Sequence, residues 1–445
     1  MENKSHINVI GAGLAGCEAA YQAANRGVSV TLYEMKPNKY TPAHHNPNFA
    51  ELVCSNSLRS DEITNAIGVL KAELRSMSSL IMEAADLNKV PAGSALAVDR
   101  EKFSSYITQK IKNHPNIEIR EEEITRINND EITVVATGPL TSDALAGYFK
   151  NEMSLGDLHF FDAAAPIVEF DSIDMSKAFF ASRYNKGDAD YINCPMNEEQ
   201  YKAFYNALIN AKEAPLHDFD EESQKLTVFE GCMPVEVMAK RGYETLLFGP
   251  LKPVGIENPV TKETYYAVVQ LRKENVEGTM FNIVGFQTHL TFSEQRTVFS
   301  LIPGLENATF LRYGVMHRNT YLNSPKVLTK YYSLKSNKNI FFAGQMTGVE
   351  GYIESASSGF VAGLNAALLS LGKEEVDFTK QTVIGALSNY VSDGAYSGNF
   401  QPMNANFGIV SSLNYKVKGG KKARNEEIAK RSASVIENIK EVLKI

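Results

Sequence analysis

The sequence predicts an α/β fold, with a parallel sheet fed by both ends of the chain and a mixed α+β insertion between them. Three observations carry this reading. A strand, a glycine-rich turn, a helix and a second strand follow one another at the N-terminus. A β-branched strand ends in Ala-Thr-Gly at residue 138. A third strand near residue 340 runs into another glycine-rich loop and a helix of small residues.

The first of these is "INVIGAGLAGCEAAYQAANRGVSVTLYE". The apolar run over residues 6–10 has the length and continuity of a buried parallel strand. Gly11, Ala12, Gly13, Leu14, Ala15 and Gly16 spell G-x-G-x-x-G. The first glycine permits the sharp turn, the second lets a pyrophosphate approach the backbone, and the third lets helix and strand pack closely. The unpaired first-turn amides of the helix then face the phosphates. Residues 28–33 form the second strand, and Glu34 closes it at the spacing that hydrogen-bonds ribose hydroxyls. The pattern is a Rossmann-like dinucleotide site.

The other two elements select FAD over bare NAD. "ITVVATGPLT" places Gly138 after a strand, as in flavoproteins with two dinucleotide domains. "KNIFFAGQMTGVEGYIESASSGFVAGLNAALLSLG" gives a strand over 339–343, then Gly344, Gly348 and Gly351, then a helix carrying Ala356, Gly359, Gly363 and Ala366. A flavin dinucleotide is long and needs a second helix start near its ring. The FAD-binding domain is therefore expected to be discontinuous, from residues 1–165 and 320–445, around an insertion over 166–319.

The insertion has a different texture. In "NEEQYKAFYNALINAK", Tyr201, Phe204, Tyr205, Leu208 and Ile209 recur at helical spacing, which makes a core-facing stripe. Asn197 and Gln200 suit an N-cap pair. β-like segments such as "TYYAVVQL" and "TMFNIVGFQ" follow. After "KGGKK", residues 416–445 read as a basic C-terminal helix region.

Composition bounds the function. The chain has 445 residues, 44% hydrophobic and 22% charged, which is ordinary for a globular protein and room for about two or three domains. No secretory signal opens it, and no apolar run reaches the roughly 20 residues that span a bilayer. The expectation is a cytoplasmic protein with no membrane partner. The net charge of −7 does not advertise nucleic acid, whose binders carry a basic footprint. Charge is local, however. Lys416, Lys418, Lys421, Lys422 and Arg424 crowd one stretch, readable either as a solvated tail or as a phosphate-contacting patch.

The four cysteines are Cys17, Cys54, Cys194 and Cys232. None lies in C-x-x-C, so no zinc or iron–sulfur site is expected, and metal ligation by His44 and His45 lacks a third ligand nearby. Cys17 and Cys194 read as packing. Cys54 sits in "FAELVCSNSLRS", among hydroxyls and near Arg59. Cys232 sits in "TVFEGCMPVEVMAKRG", where Pro234 suits the first turn of a helix. A helix start favours thiolate over thiol. Each is readable as a working thiol or as an inert one. "AVDREKF" offers Asp99 and Arg100, either at a flavoprotein strand end or as a structural pair.

Taken together, "NVIGAGLAGCEAA", "TPAHHNPNFAELVCSNSLRS", "VPAGSALAVDR", "FEGCMPVEVMAKRG", "FGPLKPVG", "GFQTHLTFSEQ", "RYGVMHRNTY" and "FFAGQMTGVEGYIESASSGF" resemble the folate- and FAD-dependent RNA uracil-5-methyltransferases of the TrmFO family. The likeness runs in order from residue 6 to about 370. It implies 5-methyluridine formation with methylenetetrahydrofolate as carbon donor, reduced FAD as reductant and NADPH or NADH to recharge the flavin. It also implies Cys54 and Cys232 as the catalytic thiols. Its expected partners are RNA and folate, with no obligatory protein partner. The RNA is tRNA at its T-loop uridine, or, with the same chemistry, a uridine of 23S ribosomal RNA. A flavoprotein partner in wobble-uridine modification that lacks methyl transfer is the alternative of another class, and a plain flavin reductase a third. Cysteine suits covalent catalysis at a poor nucleophile such as uracil C5, because thiolate addition at C6 generates an enolate. The two thiols fill nucleophile and proton-acceptor roles, or one stands beside the flavin; the reading adopted has Cys232 attacking and Cys54 beside the flavin. His317, Arg318 and Asn319 in "GVMHRNTY", and Lys418, Lys421 and Lys422, are the candidate substrate contacts.

Overall fold

The computed structural model describes residues 5–444 apart from 156, 164, 186–187, 215–232, 315 and 397–399; at 157–163, 185, 316–320 and 396 it describes the backbone alone. Five parallel strands form the central sheet, in the order Ile340–Phe342, Thr133–Val135, His6–Ile10, Ser29–Tyr33, Ile117–Arg120. Their registers pair His6 with Ser29, Asn8 with Thr133 and Ile340 with Thr133. From His6–Ile10 the chain first adds strands on one side, then returns to add Thr133–Val135 on the other. That reversal is a topological switch point, where open α/β sheets hold ligands beyond the carboxyl ends of their strands.

Two helices sandwich tightly over this point. Leu14–Ala24 follows the glycine turn, and Tyr352–Ser370 follows the second glycine loop. The small residues expected to allow close packing do so. A Cβ built on Gly359 would lie 2.1 Å from the Ala15 carbonyl oxygen, and one on Gly363 would lie 2.4 Å from the Ala19 Cα. No larger side chain fits between the two backbones.

A second, antiparallel sheet of six strands lies in the middle of the chain, in the order Phe179–Ala181, Tyr191–Met196, Ala267–Lys273, Met280–Ile283, Ile167–Glu169, Phe310–Arg312. The helix Glu198–Asn210 packs on it. Asn197 and Gln200 close its first turn as a reciprocal capping box, and Tyr201, Phe204 and Leu208 are buried. The stripe is core, with Tyr205 and Ile209 at its margin. One hydrophobic core takes residues from 7–155 and 321–439, and a separate one takes residues from 168–308. An antiparallel ribbon of Asp157–Ala163 with Met316–Leu322 joins the two regions.

The C-terminal helix Gly420–Leu443 starts after Gly419 and docks Ile428, Ile436 and Ile439 into the larger core. Asn425 donates to the Thr64 carbonyl and Ser432 to the buried Glu73 carboxylate. This segment is a packed element, not a solvated tail. Among the described residues, no helix is long and apolar enough to cross a membrane.

Candidate active site

A cleft opens at the switch point. It is lined by Ile10 to Ala15, Tyr33 to Lys36, Ala136 to Ser142 and, on the far side, Gly344, Gln345, Tyr352 and Ser355, and it holds about 1160 Å³ counting its open mouth. Gly11 has φ +97°, and a Cβ there would lie 2.7 Å from the Ala136 carbonyl oxygen. Only glycine makes this turn against the neighbouring strand. Gly13 is the opposite case, since a Cβ there meets, beyond its chain neighbours, no atom of the described residues within 4 Å. Gly13 is also the N-cap of its helix and offers no side-chain cap, and the first turn carries no acid. The orphan amides of that turn face open space, which is the arrangement a pyrophosphate requires.

Glu34 closes the second strand and is 8% exposed. Its two oxygens accept from the Ala12 amide at 2.8 Å and the Lys36 amide at 3.0 Å. The carboxylate is thereby aimed along the cleft, and a carboxylate has about four lone-pair positions, so further donors such as ribose hydroxyls fit. The residues present fit a dinucleotide.

The sequence candidates divide. Gly11, Ala12, Gly13, Leu14, Ala15, Glu34, Gly138 and Gly344 line the cleft. Gly16, Gly348 and Gly351 lie behind it, where their missing side chains make room for protein. A Cβ on Gly16 would sit 1.8 Å from the Gly11 oxygen, on Gly348 2.4 Å from the Phe400 ring, and on Gly351 2.2 Å from the Glu354 carboxylate. His44 lines the cleft with its ring nitrogen 2.6 Å from the Thr41 hydroxyl.

Cys54 directly follows Val53, which lines the cleft, and is half-buried. Its loop is held from four directions. The Tyr352 hydroxyl accepts from the Cys54 amide at 2.7 Å and the Ser55 amide at 3.1 Å. Arg100 donates to the Leu52 carbonyl and, at 3.2 Å, to the Cys54 carbonyl. Arg312 donates to the Val53 carbonyl. Arg272 donates to the Ser55 hydroxyl at 2.7 Å and the Asn56 side chain at 3.1 Å, while Asn56 donates to the Lys273 carbonyl at 2.8 Å. Arg272 and Arg312 come from the antiparallel sheet, so this loop is clamped between the two cores.

The electrostatics are those of a buried cationic pair. Burial pulls the Arg100 guanidinium down, but Glu274, at 2.5 Å, more than offsets it, so Arg100 stays firmly charged. Burial and then the charge of Arg100 lower Arg312, with the groups of Tyr352, Cys54 and Glu274 acting against them. Burial, then the Cys54 charge, pushes the Tyr352 phenol well up, so it stays neutral and able to accept hydrogen bonds.

Two sequence readings are corrected here, and the packing roles of Cys17 and Cys194 are borne out. Arg59 does not serve Cys54; it donates at 3.0 Å to Glu354, whose side chain is fully buried. The cations beside Cys54 are Arg100 and Arg312, drawn from distant segments. Asp99 and Arg100 do not pair with each other. Asp99 caps the helix Arg100–Lys112, accepting from the Glu101 and Lys102 amides, and Arg100 takes Glu274. Cys17 and Cys194 are fully buried, and burial pushes the Cys194 thiol up to about 12. Both are inert packing.

Cys232 lies outside the described residues. The helix after it, Val235–Lys240, starts at Pro234. His317, Arg318 and Asn319 fall on the strand Met316–Leu322. Lys418, Lys421 and Lys422 are exposed beside the start of the C-terminal helix, far along the chain from the cleft residues.

Comparison with known proteins agrees with this architecture. A family model described as "Glucose inhibited division protein A" matches residues 6–374. Methylenetetrahydrofolate–tRNA-(uracil-5-)-methyltransferase TrmFO of Acetivibrio thermocellus is 61% identical over 431 residues, covering 97% of this chain and 98% of the relative. The protein of the same name from Bacillus subtilis is 55% identical, covering 99% and 100%. Among solved structures, Aquifex aeolicus GidA superposes with a TM-score of 0.68 at 18% identity, over 97% of this chain and 73% of that one, which shows a shared fold. With near-complete coverage at such identity, and with the cleft and the clamped cysteine in place, the chain belongs to the TrmFO family.

Proposed function

We infer that this chain is a folate- and flavin-dependent methyltransferase that forms 5-methyluridine in tRNA. The observation that carries this is Cys54, held next to a dinucleotide cleft by Tyr352 and beside two guanidiniums, in a chain whose relatives are named for this reaction. Reduced FAD held in the cleft would supply the two electrons that take a methylene carbon, delivered by methylenetetrahydrofolate, to a methyl group, and NADPH or NADH would reduce the oxidised flavin again.

The chain's own residues do the rest. Gly13 and the orphan amides of its helix seat the pyrophosphate, and Glu34 takes the ribose. Tyr352 fixes the Cys54 and Ser55 amides, and Arg100 and Arg312 hold the Leu52, Val53 and Cys54 carbonyls. In this reading Cys232 adds to uracil C6 and Cys54 works beside the flavin. The target is the T-loop uridine, the setting is the cytoplasm, and no protein partner is needed. His317, Arg318 and Asn319 are carried as candidate substrate contacts.

The ribosomal-RNA target and the wobble-uridine partner are not favoured. The relatives named for tRNA methyl transfer are 61% and 55% identical over nearly the whole chain, whereas Aquifex aeolicus GidA is 18% identical. The test uses the purified chain alone with FAD, NADPH, methylenetetrahydrofolate and, in separate reactions, unmodified tRNA and ribosomal RNA. The expected result is 5-methyluridine in tRNA only. Product in ribosomal RNA alone would overturn the assignment.

A further inference from the structure

The groove at the start of the C-terminal helix is unused by the site just described. It lies between the segment leading out of the larger core and the first turns of Gly420–Leu443, with about 1040 Å³ of open space. Lys416, Lys421 and Arg424 line it. Lys418 and Lys422 are exposed on the same short stretch, and no acid interrupts residues 415–424. In a chain of net charge −7, this is a local reversal of sign. Further along the helix, Glu427 pairs with Lys430 at 2.7 Å and accepts from the Tyr415 hydroxyl at 3.1 Å. That bond fixes Tyr415 at the groove with its side chain 55% exposed. Phe407 and Leu413 supply an apolar wall.

Converging cations beside an exposed, anchored aromatic ring suit a nucleic-acid strand, whose phosphates take the cations and whose unstacked base takes the ring. The groove is also tied to the catalytic loop. Asn425 bonds the Thr64 carbonyl, ten residues beyond Cys54, so its anchor lies within about 36 Å of that cysteine even at full extension. Two residues before Phe407 of the groove, the Ala405 amide donates to Glu354 in the first turn of the cleft's second helix. One RNA molecule can span both.

We propose that this groove is a second contact for the tRNA substrate, with Lys416, Lys421 and Arg424 on its phosphates and Tyr415 against an unpaired base. The proposal rests on the tRNA reading above and narrows the basic stretch to a specific set. Of Lys418, Lys421 and Lys422, only Lys421 lines the groove.

The test measures binding of unmodified tRNA to the flavin-loaded full chain by fluorescence anisotropy across a salt series. Three contacts contribute a slope of about 2 to 3 in log affinity against log salt. The variant K416A/K421A/R424A should therefore bind at least tenfold more weakly at moderate salt, with the slope reduced by that amount. Tyr415→Ala should weaken binding about tenfold and leave the slope alone. A control of equal charge change, K202A/K338A/K373A, should bind as the wild type does, and flavin content should stay constant throughout. Wild-type binding matched in affinity and slope by the groove variant overturns the groove and spares the tRNA reading. A control that loses as much affinity as the groove variant also overturns it, because the effect is then net charge. Absence of wild-type tRNA binding overturns both.

Discussion

Tyr352→Phe isolates the contact that fixes the proposed active cysteine. The substitution keeps the ring and removes one oxygen, the acceptor for the Cys54 amide at 2.7 Å and the Ser55 amide at 3.1 Å. Stranding a buried donor costs about 1–3 kcal/mol. Both residues are half-buried, so water replaces part of what is lost, and the pair together should cost about 2 kcal/mol. The arginines still hold the carbonyls on this loop, so the loop loosens without unfolding. If that cost falls on the conformation that reacts, methyl transfer slows about 30-fold. The assay is single-turnover 5-methyluridine formation with saturating flavin, alongside the pH dependence of Cys54 alkylation read by peptide mass. The variant should show the slower rate, an altered alkylation profile and a normal flavin spectrum. A rate and a profile within twofold of wild type would refute the positioning role of Tyr352.

Two glycines of the turn should respond in opposite ways. Gly13 has φ −73° and open space around it, and the poorer N-cap offsets the lower unfolded-state entropy, so Gly13→Ala should change the stability of the apo chain little while cutting flavin affinity at least tenfold. Gly16→Ala would place a methyl 1.8 Å from a backbone oxygen and should yield little folded protein; equal flavin titrations and melting curves for both variants would contradict this contrast. The carboxyl of Glu73, which accepts from Ser432 and from the Val383 and Ile384 amides, is pushed up to about 7 by burial. Its ordinary value is near 4.5, so between those pH values the folded state holds a proton that the unfolded state has released. Stability from this group is therefore greatest below pH 4.5 and falls as pH rises to 7, by about 3 kcal/mol at most. Denaturant titrations of wild type against Glu73→Gln should show that decline in their difference, and a flat difference over this range would contradict it.

The parts legible in the sequence were those written in short local patterns. The glycine turn with Glu34, the capping box at Asn197 and the small-residue helix that meets Leu14–Ala24 each depend on residues a few positions apart. The environment of Cys54 was not legible. Its partners Arg100, Arg272, Arg312 and Tyr352 lie on four separate segments, and nothing local distinguishes them from Arg59, which is nearer in sequence and turns instead to Glu354. Likewise Gly348 and Gly351 look like ligand-facing glycines in sequence, because close approach to protein and close approach to a ligand demand the same missing side chain. The packing of the basic C-terminal stretch was hidden because its contacts, Thr64 and Glu73, lie some 360 residues away.

The most direct measurement is 5-methyluridine formation in unmodified tRNA by Cys54→Ala protein that retains a wild-type flavin spectrum and melting temperature. The wild type should methylate robustly and the variant not above background. Wild-type turnover in the variant would contradict it.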